Sequence, residues 1–129
     1  MNMVVRRVLV VDDNLDHVQT LSILLRSMGH TVEYAVNGYV ALDVARRFRP
    51  DVVLLDLGLP GATGFEVCAQ IRRDLEIGKV RIFAVTGYNQ PEYQTRVKGA
   101  GFDGYYQKPV DPRILFELLA SENLVQAGG

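Results

Sequence analysis

Along this chain, short runs that are apolar at nearly every position alternate with longer stretches in which apolar residues return every third or fourth place. The runs 8–11, 32–35, 52–55, 82–85 and 105–106 are β-branched or aromatic, and several are continuously apolar. That pattern predicts parallel strands covered on both faces. Between them, Val18, Leu21, Leu24, Leu25 and Met28 share one helical face, which Gly29 ends as a left-handed cap. Asn37 caps a second helix with Val40, Ala41, Val44, Ala45 and Phe48 inward and Pro50 beyond its end. Thr63 and Glu66 form a capping-box pair ahead of Phe65, Val67, Cys68, Ile71 and Leu75. Asn89 or Gln90, before Pro91, opens a weaker fourth helix ending near Gly99. Asp111 with Pro112 opens a fifth, which buries Leu115, Leu118 and Leu119.

Five strands alternating with five helices predict one doubly wound α/β domain over residues 7–122, because each parallel crossover needs a helix and its right-handed sense is nearly fixed. Residues 1–6 and 123–129 read as loose ends. A length of 129 residues is enough for one core and too short for a second. Composition then narrows the partners. Fourteen basic against fifteen acidic residues leave a net charge of -1 with no basic stripe, so no direct nucleic-acid binding is expected. One cysteine excludes an internal disulfide and a cysteine-based metal cluster. The opening MNMVVRRVLVV becomes charged too soon for a signal-peptide core or a membrane span, so a cytoplasmic protein without a membrane partner is expected.

Four of the apolar runs stop at a residue with chemistry: VLVV at Asp12 and Asp13, DVVLL at Asp56, RIFAV at Thr86, and GYYQ at Lys108. An open parallel sheet binds ligands outside the carboxyl ends of its strands, where the strand order reverses. With the common order 2-1-3-4-5, strands 1 and 3 are neighbours there and the three acids converge. Each pair of carboxylates would repel by roughly 4 kcal/mol at about 4 Å and an effective dielectric near 20. A divalent cation relieves that repulsion, and magnesium suits an all-oxygen, partly hydrated site. Singly, each residue has an ordinary structural reading: Asp13 or Asn14 caps a helix, Asp56 starts a turn, Lys108 snorkels, and Thr86 satisfies local backbone. At one rim together, they read as a site for a cation and a phosphoryl group.

On VLVVDD, DVVLLDLGLPGATGFE, FAVTGY and GYYQKP, the sequence resembles the receiver domain of two-component response regulators over nearly its whole length. The resemblance implies a flavodoxin-like (βα)5 fold with strand order 2-1-3-4-5. It makes Asp56 the phosphoacceptor, with Asp13 holding magnesium directly, Asp12 mainly through water, and the backbone carbonyl of Gly58 completing the protein ligands. Lys108 would bind the phosphoryl group, Thr86 would be the switch hydroxyl and Tyr105 the switch aromatic. A cis Lys108-Pro109 bond is expected. The implied partners are a histidine kinase or histidine phosphotransfer protein, and a downstream effector reached through the fourth helix, fifth strand and fifth helix. The run DLGLPGATGFEV is similar to receivers attached to hybrid sensor kinases.

This chain departs from the family pattern at three places. Thr63 stands where an aspartate more often precedes the glycine; Gly58 offers no side chain to an attacking water; Tyr88 is bulky at a position that resembles a tuning site for phosphoryl lifetime. Two rival readings are a receiver-like interaction module that works without phosphate, and a phosphatase with an aspartyl-phosphate intermediate, whose D-x-D motif the adjacent Asp12 and Asp13 do not match. Other residues carry no chemistry in this reading. His17 is a partly exposed helix histidine, His30 faces solvent, and Cys68 is a small buried hydrophobe. Arg46, Arg47, Arg49, Arg72 and Arg73 lie on solvated helix faces. Tyr106 faces the core, opposite Tyr105.

Overall fold

In the computed structural model, which describes residues 4–59, 61–87 and 91–121, the apolar runs lie side by side. β1 (Arg7–Val11), β2 (Thr31–Ala35), β3 (Val52–Leu55), β4 (Arg81–Thr86) and β5 (Gly104–Gln107) are all parallel, in the order β2-β1-β3-β4-β5. They alternate with α1 (Leu15–Ser27), α2 (Gly38–Phe48), α3 (Gly64–Arg73), α4 (Pro91–Gly99) and α5 (Pro112–Ala120). This is the flavodoxin-like order that the resemblance implies.

Strand alternation splits the core in two. Leu9, Val11, Val53, Leu55, Ile82 and Ala84 point toward α2, α3 and α4, while Val8, Val10, Val52, Leu54, Phe83 and Val85 point toward α1 and α5. Both sides of β1 and β3 are therefore apolar, which is why those runs do not alternate with polar residues. No described helix is long and apolar enough to cross a membrane.

The helices start where short polar side chains can accept from their first N–H groups. Asn14 accepts from His17 N, Asn37 from Val40 N, Thr63 from Glu66 N and Asp111 from Arg113 N. Gly29 follows α1 at φ 96°, the left-handed conformation that glycine adopts without a steric cost. The residues proposed to open α4, Asn89 and Gln90, lie outside the described residues, as do Tyr88 and the stretch from 122 onward.

Three expectations, for Val40, Leu75 and His30, are corrected. Val40 is 43% exposed, because α2 turns Ala41, Val44, Ala45 and Phe48 inward and leaves Val40 at the edge of that stripe. Leu75 is 96% exposed and lies beyond α3. Asp74 ends that helix, pairing with Arg46 of α2 at 2.7 Å and accepting from Glu76 N, and so carries the chain into a turn. Arg72 is exposed, as expected, and its guanidinium also donates to the carbonyls of Val80 and Gly101 and pairs with Asp103 at 2.8 Å. His30 is buried beside the start of β2, where its Nδ1 accepts from the backbone N–H of Arg6 at 3.0 Å.

Candidate functional site

The parallel register decides which side chains meet. Val11 pairs with Leu55, so the next residues of β1 and β3, Asp12 and Asp56, leave the sheet side by side. One further ladder bond fixes each exit: Asp12 N–H donates to Ala35 O at 3.1 Å and Asp56 N–H to Val11 O at 2.9 Å. Both acids are buried, at 3% and 8% exposure, whereas Asp13 is exposed. A carboxylate oxygen of each of the three lies within 4.8 Å of the others. On the other side of the switch point, Thr86 pairs with Gln107, and Lys108 N–H donates to Thr86 O at 2.9 Å. The side chain of Lys108 then reaches along the rim, its Nζ 2.8 Å from Asp12 Oδ2 and 3.3 Å from Asp56 Oδ2. The Lys108-Pro109 bond is cis.

Backbone donors orient both carboxylates. Asn14 N–H donates to Asp12 Oδ1 at 3.0 Å, and Gly58 N–H to Asp56 Oδ1 at 3.2 Å. Beneath the Asp56 loop, Gly64 starts α3 so closely that a Cβ there would sit 2.7 Å from Leu57 Cα and against the carbonyl of Asp56. Only a residue without a side chain lets the helix support the loop at that separation.

The two buried acids respond oppositely to their surroundings. Burial alone would raise the Asp12 carboxyl, but hydrogen bonds from Lys108, the Asn14 N–H and His17 outweigh it and hold that carboxyl below its ordinary value. At Asp56 burial wins: the Gly58 N–H and the charge of Lys108 offset it only in part, Asp12 opposes ionisation, and the carboxyl is pushed up. Burial would lower the Lys108 ammonium, but the bond to Asp12 and the charge of Asp56 raise it. Three carboxylates against one ammonium leave two negative charges in excess. The donor set is all oxygen, with one exposed and two buried carboxylates, which fits a hard, partly hydrated divalent cation.

Of the remaining expected site residues, Thr86 ends β4 on the same rim with its side chain fully buried. Tyr105 is half-buried against the α2–α3–α4 side of the sheet, and Tyr106 is buried on the other side near Phe83. One contact was not anticipated. His17 Nδ1 lies 2.6 Å from Asp12 Oδ2, the oxygen that Lys108 also approaches. The signal was present in the sequence, since His17 is the third helical residue after the Asn14 cap, the position whose side chain reaches back over the helix start.

Comparison with known proteins gives a consistent family. A family model described as the response regulator receiver domain matches residues 8–120. Protein PilH of Pseudomonas aeruginosa is 35% identical over 122 residues, covering 95% of this chain and 98% of that protein. The polar-differentiation response regulator DivK of Brucella anthropi is 32% identical over 111 residues, covering 85% and 90%. The structure of the chemotaxis protein CheY4 of Vibrio cholerae superposes with a TM-score of 0.81 at 34% identity, covering 88% of this chain and 94% of that one.

Proposed function

The chain belongs to the response regulator receiver domain family, and on that premise we propose that it accepts a phosphoryl group on Asp56 from a phosphohistidine of a histidine kinase or histidine phosphotransfer protein. The observation that carries this reading is Lys108 Nζ lying between Asp12 and Asp56, beside an exposed third carboxylate. An ammonium so placed neutralises part of the acid cluster and is within reach of an oxygen added to Asp56.

Asp56 Oδ attacks phosphorus in line as the phosphorus–nitrogen bond to the donor imidazole breaks. The imidazole leaves with its electron pair and takes a proton, and an acyl phosphate forms on Asp56. Phosphoryl transfer of this kind asks for positioning and charge stabilisation more than for covalent chemistry. Gly58 N–H and Lys108 hold the attacking carboxylate in place, and Lys108 then binds a phosphoryl oxygen as a point charge. Asp13, Asp56 and the Gly58 carbonyl would hold magnesium, with Asp12 acting through water. When bound, the ion supplies positive charge to the equatorial phosphoryl oxygens.

The new charge on Asp56 draws the Thr86 hydroxyl toward it, and Tyr105 moves into the space released; this biases the surface of α4, β5 and α5 toward one of two arrangements that an effector distinguishes. Incubation with magnesium and a small phosphodonor, followed by intact-mass measurement, tests the assignment. A gain of roughly 80 Da, one phosphoryl group, is expected on the native chain and not on Asp56→Asn. A native chain that stays unmodified, or an adduct that survives the substitution, counts against the reading.

A further inference from the structure

We infer that His17 is a positioning residue for the divalent cation, holding the Asp12 carboxylate in the orientation from which it serves the metal. The inference rests on the proposed metal site and extends it to a residue of α1. Asp12 is tied at both oxygens: Oδ1 accepts from Asn14 N–H at 3.0 Å, and Oδ2 meets both Lys108 Nζ at 2.8 Å and His17 Nδ1 at 2.6 Å. An ionised carboxylate only accepts, so Nδ1 carries the proton and donates.

These three ties do not persist equally. Lys108 is shared with Asp56 at 3.3 Å, and in the proposed reaction it turns to an oxygen of the phosphoryl group. A cation entering the cluster also repels the ammonium. The imidazole has no second carboxylate partner among the described residues, so nothing competes with Asp12 for its Nδ1 proton. Once Lys108 is drawn away, His17 and the Asn14 N–H are what keep Asp12 from rotating. His17 is fixed in turn, because its own backbone N–H donates to the Asn14 side chain at 3.1 Å in the first turn of α1. Its side chain is 31% exposed, so the contact with Asp12 is not forced on it by burial. His17 lies outside the group of oxygens that approach within 4.8 Å of one another; its place is behind Asp12, which itself acts on the ion through water. Outer partners of this kind typically set metal affinity by ten- to a hundredfold.

Titration calorimetry with magnesium alone, at one alkaline pH, tests this on the intact chain. His17→Ala should weaken binding about tenfold. His17→Asn, whose amide nitrogen stands close to the position of Nδ1, should restore most of the loss. In an Asp12→Asn background, His17→Ala should change little, because the group it orients has lost its charge. Equal affinity for the native chain and His17→Ala overturns the inference while leaving the metal site intact. So does an Asn variant as weak as the Ala variant, or a tenfold loss that persists without Asp12. Absence of magnesium binding by the native chain instead removes the metal site itself, and the role of His17 with it.

Discussion

At the scale of single residues, the acids and the lysine were legible in the sequence because each closes an apolar run, and a parallel sheet gathers run ends on one rim. The two histidines were not, because their roles depend on what folds against them. His17 is visible only through the helix start that Asn14 creates, and His30 only through the turn at Gly29 that brings it to the N–H of Arg6. His30 has a measurable consequence. Burial, then the charge of Arg6, lowers its imidazole below the ordinary 6.5. A base with a depressed folded-state value contributes its full stability above 6.5; between that value and the lower folded one, the unfolded chain binds the proton first and stability falls. Thermal midpoints should therefore drop as the pH falls from neutral through this window, and the drop should be shallower in His30→Asn, which keeps an acceptor but cannot titrate. His30→Ala at neutral pH leaves the Arg6 N–H unpaired and should cost about 1–2 kcal/mol. Identical pH profiles for the native protein and His30→Asn would show that the ring does not control this slope.

Among the elements, the central strands and the caps of α1, α2, α3 and α5 follow from local pattern, but the end of α3 and the seating of α4 do not. Asp74 leaves α3 for a partner on α2, 28 residues earlier in the chain, which periodicity cannot register. α4 buries only Val97 among its own residues. Arg96 supplements that packing, its guanidinium 4.2 Å from the centre of the Phe65 ring and 5.7 Å from that of Tyr93. A helix held by one fully buried side chain, the partly buried Tyr93 and a cation over the Phe65 ring of α3 is the natural part of the fold to move. α3 is the opposite case, because Gly64 brings its start against the Asp56 loop. Gly64→Ala places a methyl group where backbone must yield, so a loss of about 1–3 kcal/mol in urea denaturation is expected. Slower phosphorylation should accompany it, since the Gly58 N–H and Asp56 shift together. Unchanged stability would mean that α3 can slide away from the loop without cost.

For the whole molecule, the site and the stability of the fold are in opposition, and the conflict sits at Asp56. Burial raises its carboxyl above the ordinary value despite Gly58 and Lys108. A raised folded-state value means that the folded protein is stabilised as pH falls through it, and that at neutral pH the buried charge is a net burden. Removing the charge should therefore stabilise the metal-free protein. Asp56→Asn is expected to melt a few degrees higher in the presence of a chelator, the scale on which ~1 kcal/mol registers in a domain of this size. Excess magnesium should reverse the order. A ligand at a hundred times its dissociation constant stabilises the native fold by about 2.7 kcal/mol, and the variant, with one carboxylate fewer, gains less of it. Melting both proteins in chelator and in magnesium measures the crossing directly. If Asp56→Asn melts lower in chelator, the bonds from Lys108 and Gly58 outweigh the cost of burial, and Asp56 would then be a stabilising ion-pair partner rather than a strained acceptor.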